Sequence, residues 1–391
     1  MLQALALSLT LAGVPGVTDC LTDVERLGRR IFFDEALSDP PGQSCATCHG
    51  PKVGFTGPRS AVNLFTAVYP GAVPTRFGNR KPPSAAYATT APVFGLDPAT
   101  GLFTGGNFWD GRATGELLGN PAADQAQGPF LNPLEQNNAD AAAVVAMVCA
   151  ADYAPLFLRV WGADACADVA LAYDRIALSI AAYEASPEVN AFSSRWDAVQ
   201  RGVATFTAAE ARGEALFHGK ARCAACHPAP LFTDYSFDNL GVPRNPLNPF
   251  YLEPEWNPDG LAWVDPGLGA FLASRPEWAA LAAGNHGKHK VPTLRNVDLR
   301  PSRFFVKAYG HNGYFKSLRG IVHFYSTRDV LPACAAGGLP GVTCWPPPEV
   351  PQNVNAAELG DLGLTSAEEA DLVEFLRTLS DGWLDACAVR R

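Results

Sequence analysis

A chain of 391 residues that is 48% hydrophobic and 18% charged has the composition of a folded globular protein rather than a disordered one. It is too long for one ordinary core, so two domains are expected. The net charge of −9 argues against nucleic acid as a partner and leaves room for a basic redox or other protein partner.

The first stretch with a clear pattern, residues 2–14, is an apolar run followed by small residues and Pro15. It is too short to span a bilayer and resembles the central part of a secretory signal without its basic start, so residues 1–19 are expected to be a leader. Thr22-x-x-Glu25 then reads as a capping box opening a helix with apolar residues at helical spacing. The pattern Thr22, Glu25, Gly28, Ile31, Phe32 recurs as Thr207, Glu210, Gly213, Leu216, Phe217. Each copy leads into the same five-residue motif, Cys45-Ala46-Thr47-Cys48-His49 and Cys223-Ala224-Ala225-Cys226-His227. Residues 50–108 and 228–290 show little periodicity, and the 36 glycines and 33 prolines agree with long irregular connections. Alanine-rich helices are expected at 139–150 and 167–186, a domain boundary near 188–206, and a capped helix from Thr365 to Leu379 with Leu372, Phe375, Leu376 and Leu379 on one face. The fold expected is mainly α, with two tandem cytochrome c-like domains, 20–190 and 191–391, arising from duplication.

C-x-x-C-H is the attachment signature of a c-type haem. Two thiols three positions apart can each add to one vinyl group, and the adjacent imidazole then lies under the iron. Two covalent haems are therefore expected, on Cys45 and Cys48 with His49 as ligand, and on Cys223 and Cys226 with His227. Attachment of this kind takes place outside the bacterial cytoplasmic membrane, so the protein is expected to be exported to the periplasm, with no integral membrane segment in the mature chain. Six cysteines remain. In an oxidising compartment they should pair: Cys149 with Cys166, Cys334 with Cys344, and by elimination Cys20 with Cys387. His218, His286 and His289 read as loop residues, the last two in the basic run His286-Gly287-Lys288-His289-Lys290, which reads as a solvated loop.

Several further stretches are similar to the bacterial dihaem cytochrome c peroxidase family, which includes the MauG-type enzymes. They are Phe108-Trp109-Asp110-Gly111-Arg112, Asp124-Gln125-Ala126-Gln127-Gly128-Pro129, Asn132-Pro133-Leu134-Glu135, Val291-Pro292-Thr293-Leu294-Arg295-Asn296 and His311-Asn312-Gly313. The resemblance implies that the first haem meets hydrogen peroxide, with Gln125, Pro129 and Glu135 on its open side and Glu135 moving the proton. Many peroxidases of the family close this haem at rest with a histidine, but no histidine occurs between His49 and His218, so an open first haem is expected. The second haem in classical members carries methionine. Here only Met1 and Met147 exist, and the matching position, fourteen residues after His311, is Tyr325, with His323 as rival. Trp109 is implied as a relay between the haems, Arg112 and Arg295 as propionate partners, and His311 as a third such partner or an interface residue. The resemblance also leaves room for a calcium ion between the domains, although Lys81 stands where the family has asparagine and Asn79 is the nearest substitute. A MauG-like oxidation of a protein substrate is the reading preferred. A peroxidase fed by a small cytochrome or cupredoxin is the alternative, and a non-catalytic electron carrier the third.

Overall fold

The computed structural model describes residues 20–390, so the expected leader lies outside the described residues. Among the described residues eight helices have eight or more residues, with shorter helical turns between them: α1 (Asp23–Phe32), α2 (Pro121–Leu131), α3 (Ala141–Ala150), α4 (Ala154–Trp161), α5 (Val169–Glu184), α6 (Ala208–His218), α7 (Leu318–Thr327) and α8 (Ser366–Arg377). Strand structure is limited to two short antiparallel pairs, β1 (Gly95–Leu96) with β2 (Phe103–Thr104) and β3 (Phe237–Asp238) with β4 (His289–Lys290). Among the described residues no single helix is long and apolar enough to cross a membrane.

The sequence repeat has a direct structural meaning. Thr22 N–H donates to Glu25 Oε2 at 2.6 Å and Thr207 N–H to Glu210 Oε2 at 2.7 Å, so both repeated helices begin on capping boxes. Gly28 and Gly213 are where these helices cross a partner. A Cβ on Gly28 would lie 1.8 Å from Ser179 O of α5, and one on Gly213 2.1 Å from Asp371 O of α8. Glycine is thus required for backbone to approach backbone. The same crossing, α1 on α5 and α6 on α8, anchors each half. Leu27, Ile31, Phe32, Phe130, Ile176 and Ile180 fill the first core; Phe217, Phe232, Phe324, Leu372 and Phe375 fill the second.

The expected boundary region holds a short helix, Arg195–Gln200, whose Trp196 belongs to the second core. Near it, Asp381 accepts hydrogen bonds from Tyr87 Oη (2.8 Å), Ser193 N (2.9 Å) and Asn296 Nδ2 (2.9 Å), tying both halves and the connection to one carboxylate. The three expected disulfides are present, with Cys20–Cys387 joining the two ends of the described chain. The glycine- and proline-rich stretches form the interface between the halves. Lys81 N–H donates to His311 O at 2.9 Å, Lys290 N–H to Trp109 O at 2.8 Å, and Arg80 bridges Asp110 and Asp265 at 2.6 Å each.

Candidate dihaem centre

Cys45 and Cys48 sit on a single helical turn that begins at Ser44, whose side chain and backbone pair with Thr47. Turn geometry puts thiols three residues apart on one side. Cys223 and Cys226 lie on the matching turn of the second half. In a protein whose other six cysteines are all in disulfides, these four are free. Each pair opens onto a cavity, about 430 Å³ in the first half and about 210 Å³ in the second. Burial pushes Cys48, Cys223 and Cys226 up to about 12, so they are held as neutral thiols. His49 Nδ1–H donates to Phe55 O at 3.1 Å and His227 Nδ1–H to Phe232 O at 2.8 Å. Such a bond fixes the ring and leaves Nε2 free to meet a metal. Burial lowers both imidazoles, favouring the neutral form a metal needs. Free thiols, oriented imidazoles and largely apolar cavities fit a haem in each half.

One part of the first cavity's wall comes from α2 and the turn after it. Gln125, Pro129 and Glu135 all line it. Asn120 caps α2 through Ala122 N, and Tyr173 Oη donates to Gln127 O at 2.5 Å, holding α2 on α5. Asn132 Nδ2 donates to Glu135 Oε2 at 2.9 Å, which fixes the carboxyl and leaves Oε1 without a protein partner among the described residues. Burial raises Glu135 above the usual carboxylate range, partly opposed by Arg112 and the Asn132 bond. A second acid, Glu184 at the end of α5, also lines this cavity, and sequence reading missed it. It is 4% exposed, has no hydrogen-bond partner among the described residues, and burial raises it to about 8.

In the second cavity, Leu318, Ile321, Val322 and Tyr325 form one face of α7, at the i, i+3, i+4, i+7 spacing of a helix stripe. Tyr325 brings its ring to the cavity that holds Cys223 and His227. Its hydroxyl has no partner among the described residues, and burial raises it. His323, two positions earlier, falls on the opposite side of the helix, where Nδ1 meets Glu369 Oε1 at 2.7 Å.

Trp109 lines both cavities. It is 8% exposed, and Nε1–H donates to Lys81 O at 2.8 Å. His311 lies 6.5 Å away, ring centre to ring centre, and stacks on His289 at 3.6 Å. His289 is therefore not the loop residue expected from sequence. It is buried, with Nε2 3.3 Å from Asp265, and the basic run around it enters the interface through β4. Of the two roles expected for His311, the structure shows interface contacts: its Nε2 lies 3.5 Å from Glu349 and its carbonyl accepts Lys81 N–H.

Arg295, expected as a propionate partner, lines the second cavity and is also part of an ion pair. Its side chain is fully buried; Nη1 and Nη2 bind Asp197 at 2.7 and 3.0 Å and Nε donates to Pro230 O at 2.8 Å. The rings of Tyr87, Phe192, Trp196 and Phe232 surround it. Arg112 lines the first cavity, half-exposed, over Phe108 and paired with Asp110 at 2.7 Å. Lys81 is buried, its ammonium bonded to Thr56 Oγ1 at 3.0 Å and Pro82 O at 2.9 Å, and burial lowers it to about 8.

The model of the di-haem cytochrome c peroxidase family matches residues 22–205. Methylamine utilization protein MauG of Paracoccus denitrificans is 36% identical over 369 residues, covering 91% of this chain and 88% of that protein. The chain belongs to the dihaem cytochrome c peroxidase family. Cytochrome-c peroxidase IdrP1 of Denitromonas iodatirespirans is 29% identical, with 94% and 84% covered. Among solved structures, the diheme peroxidase BthA of Burkholderia thailandensis superposes with a TM-score of 0.77 at 32% identity, covering 92% of this chain and 86% of that one. As a member of this family the chain is a peroxidase-type haem oxidoreductase with two haem cofactors. A non-catalytic carrier, the third reading from sequence, does not agree with that membership.

Proposed function

We propose that this dihaem peroxidase is a MauG-like enzyme, exported to the periplasm, that uses hydrogen peroxide to oxidise a protein substrate. The haems would be covalent, on Cys45 and Cys48 and on Cys223 and Cys226, with His49 and His227 as proximal ligands. Bound haem supplies the iron that takes up oxygen from peroxide and holds oxidising equivalents. The chain's own residues supply the rest. Glu135 takes the proton of one peroxide oxygen and returns it to the leaving oxygen, its raised proton affinity bringing it nearer working pH. Gln125, with no side-chain bond among the described residues, orients the peroxide, and Pro129 keeps that wall apolar. Trp109 offers an oxidisable indole in the wall shared by both cavities. Tyr325, ligating the second iron as phenolate, would favour its oxidised forms. Lys81 would stand in electrostatically for calcium, and metal analysis after chelation should then find none retained.

The observation that carries this reading is the asymmetry of the cavities. One presents Glu135 and Gln125 and, with no histidine between 50 and 217, has nothing of that kind to close it; the other presents a phenol. The relatives named cytochrome-c peroxidase support a second reading, reduction of peroxide to water with electrons from a small cytochrome or cupredoxin. Adding stoichiometric peroxide to the diferric protein separates the two. A long-lived oxidised state, changing the absorption and EPR signals of both haems together, is expected. Rapid return to the resting spectrum, with fast turnover of a reduced small redox protein, would select the peroxidase reading.

A further inference from the structure

Two ammonium groups, that of buried Lys81 and that of partly buried Lys290, lie in the walls common to both cavities. An ammonium has three N–H donors. Lys81 spends two, on Thr56 Oγ1 and Pro82 O. Lys290 also spends two, on Gly106 O and Asn107 Oδ1. Neither has a carboxylate partner among the described residues, and burial alone accounts for the lowering of both, Lys81 to about 8 and Lys290 to about 7. Lys307, a buried lysine beside the second cavity, differs: its three donors are all taken, by Val53 O, Asn296 O and Leu299 O. It is a structural cross-tie, whereas Lys81 and Lys290 each keep a donor and a charge uncommitted.

A buried ammonium with only neutral partners costs several kcal/mol, and a bound anion offsets that cost. The residues around these two groups supply no such anion, while each haem would bring two carboxylates into the cavities the lysines line. We propose that Lys81 and Lys290 bind the haem propionates, a reading that rests on the dihaem assignment of the two cavities. They would act beside Arg295, which lines the second cavity with its guanidinium paired to Asp197. The placement also joins the cofactors' charge to the indole between them: Lys81 Nζ lies 6.0 Å from the Trp109 ring centre, and Lys290 N–H binds the Trp109 carbonyl. Lys81, Trp109 and Lys290 would then hold the propionates at the wall shared by the two cavities.

The test uses the haem-loaded protein and the variants Lys81→Met, Lys290→Met, Lys81→Gln, Lys290→Gln and Lys290→Arg. The control is Lys220→Met, a surface lysine paired with Glu368. Haem content is measured first; fewer than two haems per wild-type chain would contradict the dihaem assignment, separately from the lysine proposal. Midpoint potentials and the propionate bending bands in resonance Raman spectra are then recorded. Each Met or Gln variant should shift the ferric–ferrous equilibrium of at least one haem toward ferric by about tenfold, about 59 mV for one electron, and move its propionate band. Lys290→Arg should keep the wild-type potentials, and Lys220→Met should change nothing. The Gln variants keep a hydrogen-bonding group should the Met variants not fold. Potentials and propionate bands matching the control in either the Lys81 or the Lys290 variants would overturn the proposal.

Discussion

Glu135 and Glu184 place two carboxyl groups in the wall of one cavity, and burial gives both a raised proton affinity. Glu135→Gln keeps the shape and removes the proton carrier. The rate of reaction with peroxide should fall 10²- to 10⁴-fold, the usual worth of a positioned acid–base group, with the resting haem spectrum unchanged in stopped-flow records. Glu184 makes a different prediction. Its folded-state value of about 8 lies above the ordinary glutamate value of about 4.5, so between these values the folded protein holds a proton that the unfolded chain has lost. Stability should therefore fall as pH rises through that window, by a few kcal/mol at most. Urea midpoints from pH 5 to 8 should show the decline in wild type and a flatter profile in Glu184→Gln. Sequence alone exposed Glu135 through its neighbours, but a glutamate ending an alanine-rich helix reads as solvated. Lys81, Lys290 and His289 were obscured for the same reason: a charge in a loop is normally wet, and only contact with the other half of the chain buries it.

At the level of helices, the repeated T-x-x-E-x-x-G pattern was legible because it encodes two local requirements, a capped start and a close crossing. Gly28→Ala and Gly213→Ala test the second. Alanine improves helix propensity by about 1 kcal/mol, but its Cβ would meet a backbone carbonyl at 1.8 or 2.1 Å, too close to relieve without separating the helices. Overpacking should win, lowering stability by about 1–3 kcal/mol net in denaturant titrations. Two helices without such marks or an alanine-rich run, α2 and α7, were not foreseen. α2 carries Pro129 inside it and has no apolar stripe strong enough to announce it, yet it positions Gln125. α7 places Tyr325 and His323 two residues apart, on opposite faces. The choice between them as cavity residues needed the helix itself, because spacing counted from His311 selects a position and not a direction.

For the whole molecule, the two halves share a construction but not an endowment, and the consequence is concentrated at their seam. Trp109 belongs to the first half, yet its carbonyl is held by Lys290, its indole by the carbonyl of Lys81, and its ring by His311. If it relays oxidising equivalents, Trp109→Phe should separate two events that are concerted in wild type. The first haem should still react with peroxide at close to its normal rate, since Glu135 and Gln125 are untouched. The optical change at the second haem should be delayed by at least tenfold or be absent. The substitution also strips a buried donor from Lys81 O, at a cost of about 1–3 kcal/mol, so the variant's urea midpoint must be measured alongside. A delayed second haem in a protein that remains folded, with both resting spectra intact, would assign the delay to the lost indole. Simultaneous changes at both haems in that same folded variant would remove Trp109 from the path and leave it as packing between the halves.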